Sequence, residues 1–127
     1  MEEELQGVRV LVIDDSKTIR RSAENLLTKE GCDVITADDG NEAMEMAEEE
    51  SPDLIIMDIM LPGVSGLDLV RTMKADDKLK DTPIIVVTTM AMAGDQEKIK
   101  AAGADAYLPK PIQVDEFIEA VRKILGG

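Results

Sequence analysis

Histidine is absent from all 127 residues. A Ser-His-Asp triad, a histidine-ligated zinc site and a phosphohistidine carried by this chain are therefore excluded. Tryptophan is absent too, and Tyr107 and Phe117 are the single tyrosine and phenylalanine, so a flavin would find few rings to stack on. Cys32 is the single cysteine, which excludes an internal disulfide; a small buried side chain is its expected role, and a cytoplasmic location is expected. Basic residues are scarce: 14 Lys and Arg face 27 Asp and Glu, a net charge of −13. That balance argues against direct DNA binding and against an anionic membrane surface, because phosphates would be repelled. It favours a partner with a basic or apolar patch. No apolar run approaches the ~20 residues of a membrane span, and Met1-Glu2-Glu3-Glu4 is the opposite of a secretory n-region.

What is present suits one globular domain over residues 1–127. The chain is organised around Leu54-Ile55-Ile56-Met57-Asp58-Ile59-Met60-Leu61-Pro62-Gly63. Its continuous apolar run reads as a strand buried on both faces. An ionised carboxylate inside such a run would be very costly without a partner or a metal. Asp58 is therefore expected as the last residue of the strand, at the sheet edge where open α/β sheets place their ligands.

The other segments repeat the theme. Val8 to Ile13 is a β-branched run ending in Asp14-Asp15. Ser16 can cap a helix that carries Ile19, Ala23, Leu26 and Leu27 at helical spacing, with Gly31 closing it. Cys32 to Thr36, interrupted by Asp33, reads as an edge strand. A turn at Asp38-Asp39-Gly40 leads to a helix over about Asn41 to Glu50, stopped by Pro52. Ser65-Gly66-Leu67-Asp68 has the form of a capping box opening a third helix with Leu67, Val70 and Met73 inward. Pro83 to Val87 is a second fully buried strand, ending at Thr88-Thr89. A helix over Ala93 to Ala102 stops at Gly103, and Ala106-Tyr107-Leu108 is a short last strand before Pro109-Lys110-Pro111. The final helix carries Val114, Phe117, Ile118, Val121, Ile124 and Leu125. Five βα units predict an α/β, flavodoxin-like (βα)5 fold: a parallel sheet of order 2-1-3-4-5, helices on both faces, and a switch point between strands one and three.

That order brings Asp14, Asp15, Asp58, Thr88 and Lys110 to one edge. Taken singly, each has a bland explanation as a cap, a turn residue or a solvated charge. Together they are harder to dismiss. Clustered carboxylates repel, which is relieved by holding one protonated or by binding a divalent cation. All-oxygen ligands favour a hard ion, magnesium above all. A lysine and a hydroxyl suit the remaining oxygens of a phosphoryl group, and a carboxylate can be the nucleophile.

The segments Val12-Ile13-Asp14-Asp15-Ser16, Asp58-Ile59-Met60-Leu61-Pro62-Gly63, Val86-Val87-Thr88 and Tyr107-Leu108-Pro109-Lys110-Pro111 closely resemble the receiver domain of two-component response regulators. The resemblance spans nearly the whole chain. It implies that Asp58 is the phosphoacceptor, that Asp15 binds magnesium directly with Asp14 as its partner, and that Met60 contributes a backbone carbonyl. Manganese could substitute for magnesium. The resemblance further implies that Thr88 reaches the phosphoryl oxygen, that Lys110 pairs with it, that Tyr107 swings inward on activation and that a cis bond precedes Pro111. The implied partners are a histidine kinase or histidine phosphotransfer protein as donor, and a protein target on the helix 4–strand 5–helix 5 surface. The chain would catalyse only its own phosphorylation and dephosphorylation, as a monomer or a phosphorylation-dependent dimer. No DNA-binding domain follows Gly127, so a stand-alone regulator or a fragment is expected.

Two departures stand out. Thr89 occupies a place where a small residue is usual, and the apolar Met60 and Met90 flank the site. Unable to orient a water, these methionines predict a long-lived phosphoaspartate. Among rivals, a haloacid-dehalogenase-type phosphatase needs an acid two residues after its nucleophile on strand one, where Ser16 stands. A flavodoxin-like binder needs a hydroxyl-rich phosphate loop where Asp14-Asp15 would repel phosphate. A pseudo-receiver that is never phosphorylated conflicts with the complete acid set.

Overall fold

A computed structural model describes residues 5–59, 61, 65–89, 93–110 and 112–126. Strands β1 (Arg9–Ile13), β2 (Asp33–Ala37), β3 (Leu54–Met57), β4 (Ile84–Thr88) and β5 (Ala106–Pro109) alternate with helices α1 (Lys17–Lys29), α2 (Gly40–Glu50), α3 (Gly66–Ala75), α4 (Ala93–Ala102) and α5 (Val114–Gly126). The sheet order is β2-β1-β3-β4-β5 and every pairing is parallel, as the alternating pattern predicts. The interrupted strand β2 lies at an edge, where Asp33 is exposed.

The three central strands bury nearly every residue, because helices cover both faces. Alternate residues go to opposite sides. Leu11, Ile13, Ile55, Met57, Ile84 and Val86 join Ala43, Ala47, Val70, Met73 and Ile99 in one core. Val10, Val12, Leu54, Ile56, Ile85 and Val87 join Leu27, Phe117 and Val121 in the other. Among the described residues no helix is long and apolar enough to cross a membrane.

Local chemistry sets the helix ends. The Ser16 hydroxyl accepts from the Ile19 N–H at 3.3 Å, and the Asp39 carboxylate accepts from the Glu42 N–H at 2.8 Å. Ser65 is the N-cap of α3, but its side chain makes no capping bond. The expected capping box is thus not formed; Asp68 pairs instead with Arg71 at 2.7 Å on the exposed face. Gly31, at φ +92°, takes the left-handed conformation that ends the turn after α1.

Candidate functional site: a carboxylate cluster at the sheet edge

Parallel register brings the site together. Ile13 pairs with Met57, so the residues that follow, Asp14 and Asp58, emerge side by side. The Asp58 N–H continues the ladder by donating to the Ile13 carbonyl at 2.9 Å. Asp58 therefore stands one residue beyond β3, held by it but not inside it. On the other side Thr88 pairs with Pro109, and the Lys110 N–H donates to the Thr88 carbonyl at 2.9 Å. Four strands thus deliver side chains to one edge.

Asp14 and Asp58 are only 3% and 4% exposed, and Thr88 is fully buried. Asp15 is exposed. Oxygens of Asp14, Asp15 and Asp58 lie within 4.8 Å of one another. Lys110 enters from β5, its side chain 11% exposed, and its Nζ lies 2.9 Å from both Asp14 Oδ2 and Asp58 Oδ2. Among the described residues, three carboxylates thus gather around the Lys110 ammonium, and the formal charge of the group is negative.

Burial pushes the Asp14 carboxyl above the usual aspartate range. The Ser16 N–H, which donates to Asp14 Oδ1 at 2.8 Å, and the Lys110 ammonium pull the other way without cancelling it. For Lys110, burial alone would lower the pKa, but its bonds to Asp58 and Asp14 outweigh this and hold it above the usual lysine range. The cluster thus favours a charged lysine beside acids that gain from any added positive charge.

This donor set fits a divalent cation. All three side chains offer oxygen, two are fixed by hydrogen bonds, and the exposed Asp15 leaves one side open to the waters such an ion retains. The structure places Asp14, Asp15, Asp58 and Lys110 against one another, with Thr88 joined to Lys110 through its backbone carbonyl. Met60 and Pro111 lie outside the described residues.

Tyr107 stands apart, half-buried on β5 opposite Val86 and packed against the core beneath α4. It borders two surface grooves. One, of about 510 Å³, runs along Asp105, Leu108, Ala120, Lys123 and Ile124; the other, of about 380 Å³, along Gln96, Lys100 and Pro109. One contact has no signal in the sequence. Arg20 on α1 donates from Nη1 to the Asp14 backbone carbonyl at 2.7 Å. Asp14 precedes the helix, so no helical spacing relates the two.

Comparison with known proteins gives a consistent result. The family model for the response regulator receiver domain matches residues 10–122. The polar-differentiation response regulator DivK of Brucella anthropi is 42% identical over 117 residues, covering 92% of this chain and 95% of the relative. DivK of Brucella ovis is 41% identical over the same length and shares. Among solved structures, the chemotaxis response regulator CheY4 of Vibrio cholerae superposes with a TM-score of 0.89 at 31% identity, covering 94% of this chain and 99% of that one. The receiver domain of a sensor histidine kinase from Pseudomonas aeruginosa, described with a magnesium ion coordinated in its active site cleft, superposes with a TM-score of 0.88 at 30% identity, covering 95% and 99%.

Proposed function

The chain belongs to the response regulator receiver domain family, and from that premise we propose that Asp58 is its phosphoacceptor within a single receiver domain over residues 1–127. The family makes the protein a phosphorylation-activated signalling switch rather than an enzyme turning over a substrate. The observation that supports Asp58 is its place within 4.8 Å of two further carboxylates, with Lys110 Nζ at 2.9 Å.

A histidine kinase or histidine phosphotransfer protein supplies the phosphoryl group. An Asp58 carboxylate oxygen attacks the phosphorus of the donor phosphohistidine. The new O–P bond forms as the N–P bond breaks, and the imidazole nitrogen leaves with the electron pair. Asp14, Asp15, Asp58 and the Met60 backbone carbonyl would hold a magnesium ion, with manganese as a substitute, which supplies positive charge to the phosphoryl oxygens. Lys110 already carries its proton and sits between Asp14 and Asp58, so it meets the incoming phosphoryl oxygen without changing protonation state.

Once Asp58 carries the acyl phosphate, Thr88 reaches toward the new phosphoryl oxygen. Tyr107 then turns inward, changing the α4–β5–α5 face that a target protein reads. This is a two-state element biased by a local change of charge.

The test is intact-protein mass spectrometry after incubation with acetyl phosphate and magnesium, with EDTA and Asp58→Asn controls, followed by a phosphorylated histidine phosphotransfer protein as donor. One phosphoryl adduct that needs both the metal and Asp58 is expected. No adduct with either donor, or an adduct that survives Asp58→Asn, overturns the assignment.

A further inference from the structure

Arg20 carries none of the roles above, yet its guanidinium reaches back across the start of α1 to the Asp14 carbonyl, at 2.7 Å. That carbonyl lies where ordinary backbone partners run out. The β1–β2 register ends at Ile13 and Ala37. The first helical bond of α1 is taken by the Ser16 carbonyl, which accepts from the Arg20 N–H at 2.9 Å. Among the described residues no backbone donor reaches Asp14 O. A buried backbone carbonyl needs a partner, and the Arg20 side chain is the one provided.

Asp14 is then held at every polar atom. Its N–H donates to the Ala37 carbonyl at 3.2 Å, its Oδ1 accepts from the Ser16 N–H, its Oδ2 faces Lys110, and its carbonyl accepts from Arg20. The peptide that Arg20 grips is the one leading into Asp15. The plane of that peptide sets the direction in which the exposed Asp15 carboxylate leaves the chain.

Two simpler purposes fit Arg20 poorly. A cation at the end of the first turn works against the helix dipole, and α1 has no acid there to offset it. A guanidinium bonded to the backbone of this acidic edge also adds a positive charge that repels any divalent cation bound there. We propose that Arg20 is a positioning residue: by fixing the Asp14–Asp15 peptide it presents both carboxylates to the divalent cation together. The inference rests on the reading of this edge as a metal-assisted phosphoacceptor site.

The two effects of Arg20 have opposite signs, which makes a direct test. Magnesium affinity is measured by isothermal titration calorimetry on wild type, Arg20→Met, Arg20→Gln and Arg20→Lys, each first shown by circular dichroism to be folded without metal. Loss of the bond should weaken magnesium binding about tenfold in Arg20→Met and Arg20→Gln, the low end for partners that orient metal ligands. It should do so although a repelling charge has gone. Arg20→Lys, which keeps one donor, should recover part of the affinity. Labelling of Asp58 by acetyl phosphate should slow in Arg20→Met at limiting magnesium and approach the wild-type rate at saturation. Unchanged or tighter magnesium binding in the folded Met and Gln variants overturns the proposal while leaving the phosphoacceptor reading intact. A wild type that binds no divalent cation overturns both.

Discussion

Gly66 donates its N–H to the Ile59 carbonyl at 3.0 Å, and a Cβ added to it would lie 2.2 Å from the Ile59 α-carbon. The clash is with backbone, which cannot rotate aside. Ile59 directly follows Asp58, so the first residue of α3 presses on the chain beside the proposed phosphoacceptor. Gly66→Ala must push the two apart. A loss of about 1–3 kcal/mol in urea unfolding is expected, the usual cost of overpacking, together with slower Asp58 labelling at saturating magnesium. A destabilised variant that labels at the wild-type rate would show that this approach serves packing alone.

Lys110 serves two buried carboxylates with one ammonium. Replacing it with methionine removes the ammonium that bonds both Asp14 and Asp58. Stability at neutral pH in EDTA should fall by about 3–5 kcal/mol, as when one partner of a buried ion pair is removed. Adding Asp14→Asn removes one of the stranded charges and should restore part of the loss. Urea denaturation of the two single variants and the double variant measures this. Additive losses would show that the three groups are not coupled.

The thiol of Cys32, 7% exposed, is pushed up by burial and by the nearby Glu30. A raised folded-state pKa means that the neutral thiol is the form the fold prefers. Its contribution to stability is full below the unfolded value, about 8.5, and is lost as pH climbs through the folded value. Lys110 acts with the same sign at higher pH, above about 10.4. Wild-type stability should therefore decline from about pH 8.5 upward, and Cys32→Ala should flatten the first part of that decline. Denaturant midpoints measured from pH 7 to 10 check this; parallel curves for the two proteins would contradict it.

Tyr107 is the one tyrosine, and there is no tryptophan, so intrinsic fluorescence reports the β5 surface alone. Acetyl phosphate with magnesium should change that emission in wild type. In Thr88→Ala the phosphoryl adduct should still form while the fluorescence change is largely lost. Equal changes in both proteins would separate Tyr107 from the Thr88 hydroxyl.

The site was legible in the sequence because its residues sit where local patterns end. Asp14, Asp58 and Thr88 each close an apolar run, and such runs become strands whose carboxyl ends share one edge. Ser65 shows the limit of a local pattern. A serine followed by an acid three residues on matches a capping box, but the bond depends on how the loop enters the helix, and here Asp68 turns to Arg71. The division of the buried strands between two cores was equally hidden, since residues of both faces are apolar and leave no alternation to read.

By itself the sequence determined which chemistries are closed to this chain and which side chains meet at the sheet edge. Residue type and strand order are properties of the linear chain, and right-handed crossovers leave few ways to arrange five βα units. Only the tertiary structure decided who holds whom. Lys110, 52 residues from Asp58, bridges it to Asp14 because register aligns the ends of β1, β3 and β5. Arg20 grips Asp14 because the helix begins where the ladder has run out of donors. Gly66 is required because another backbone lies 2.2 Å from where its side chain would begin. Each depends on atoms brought together by packing, and no spacing along the chain encodes the distance between them.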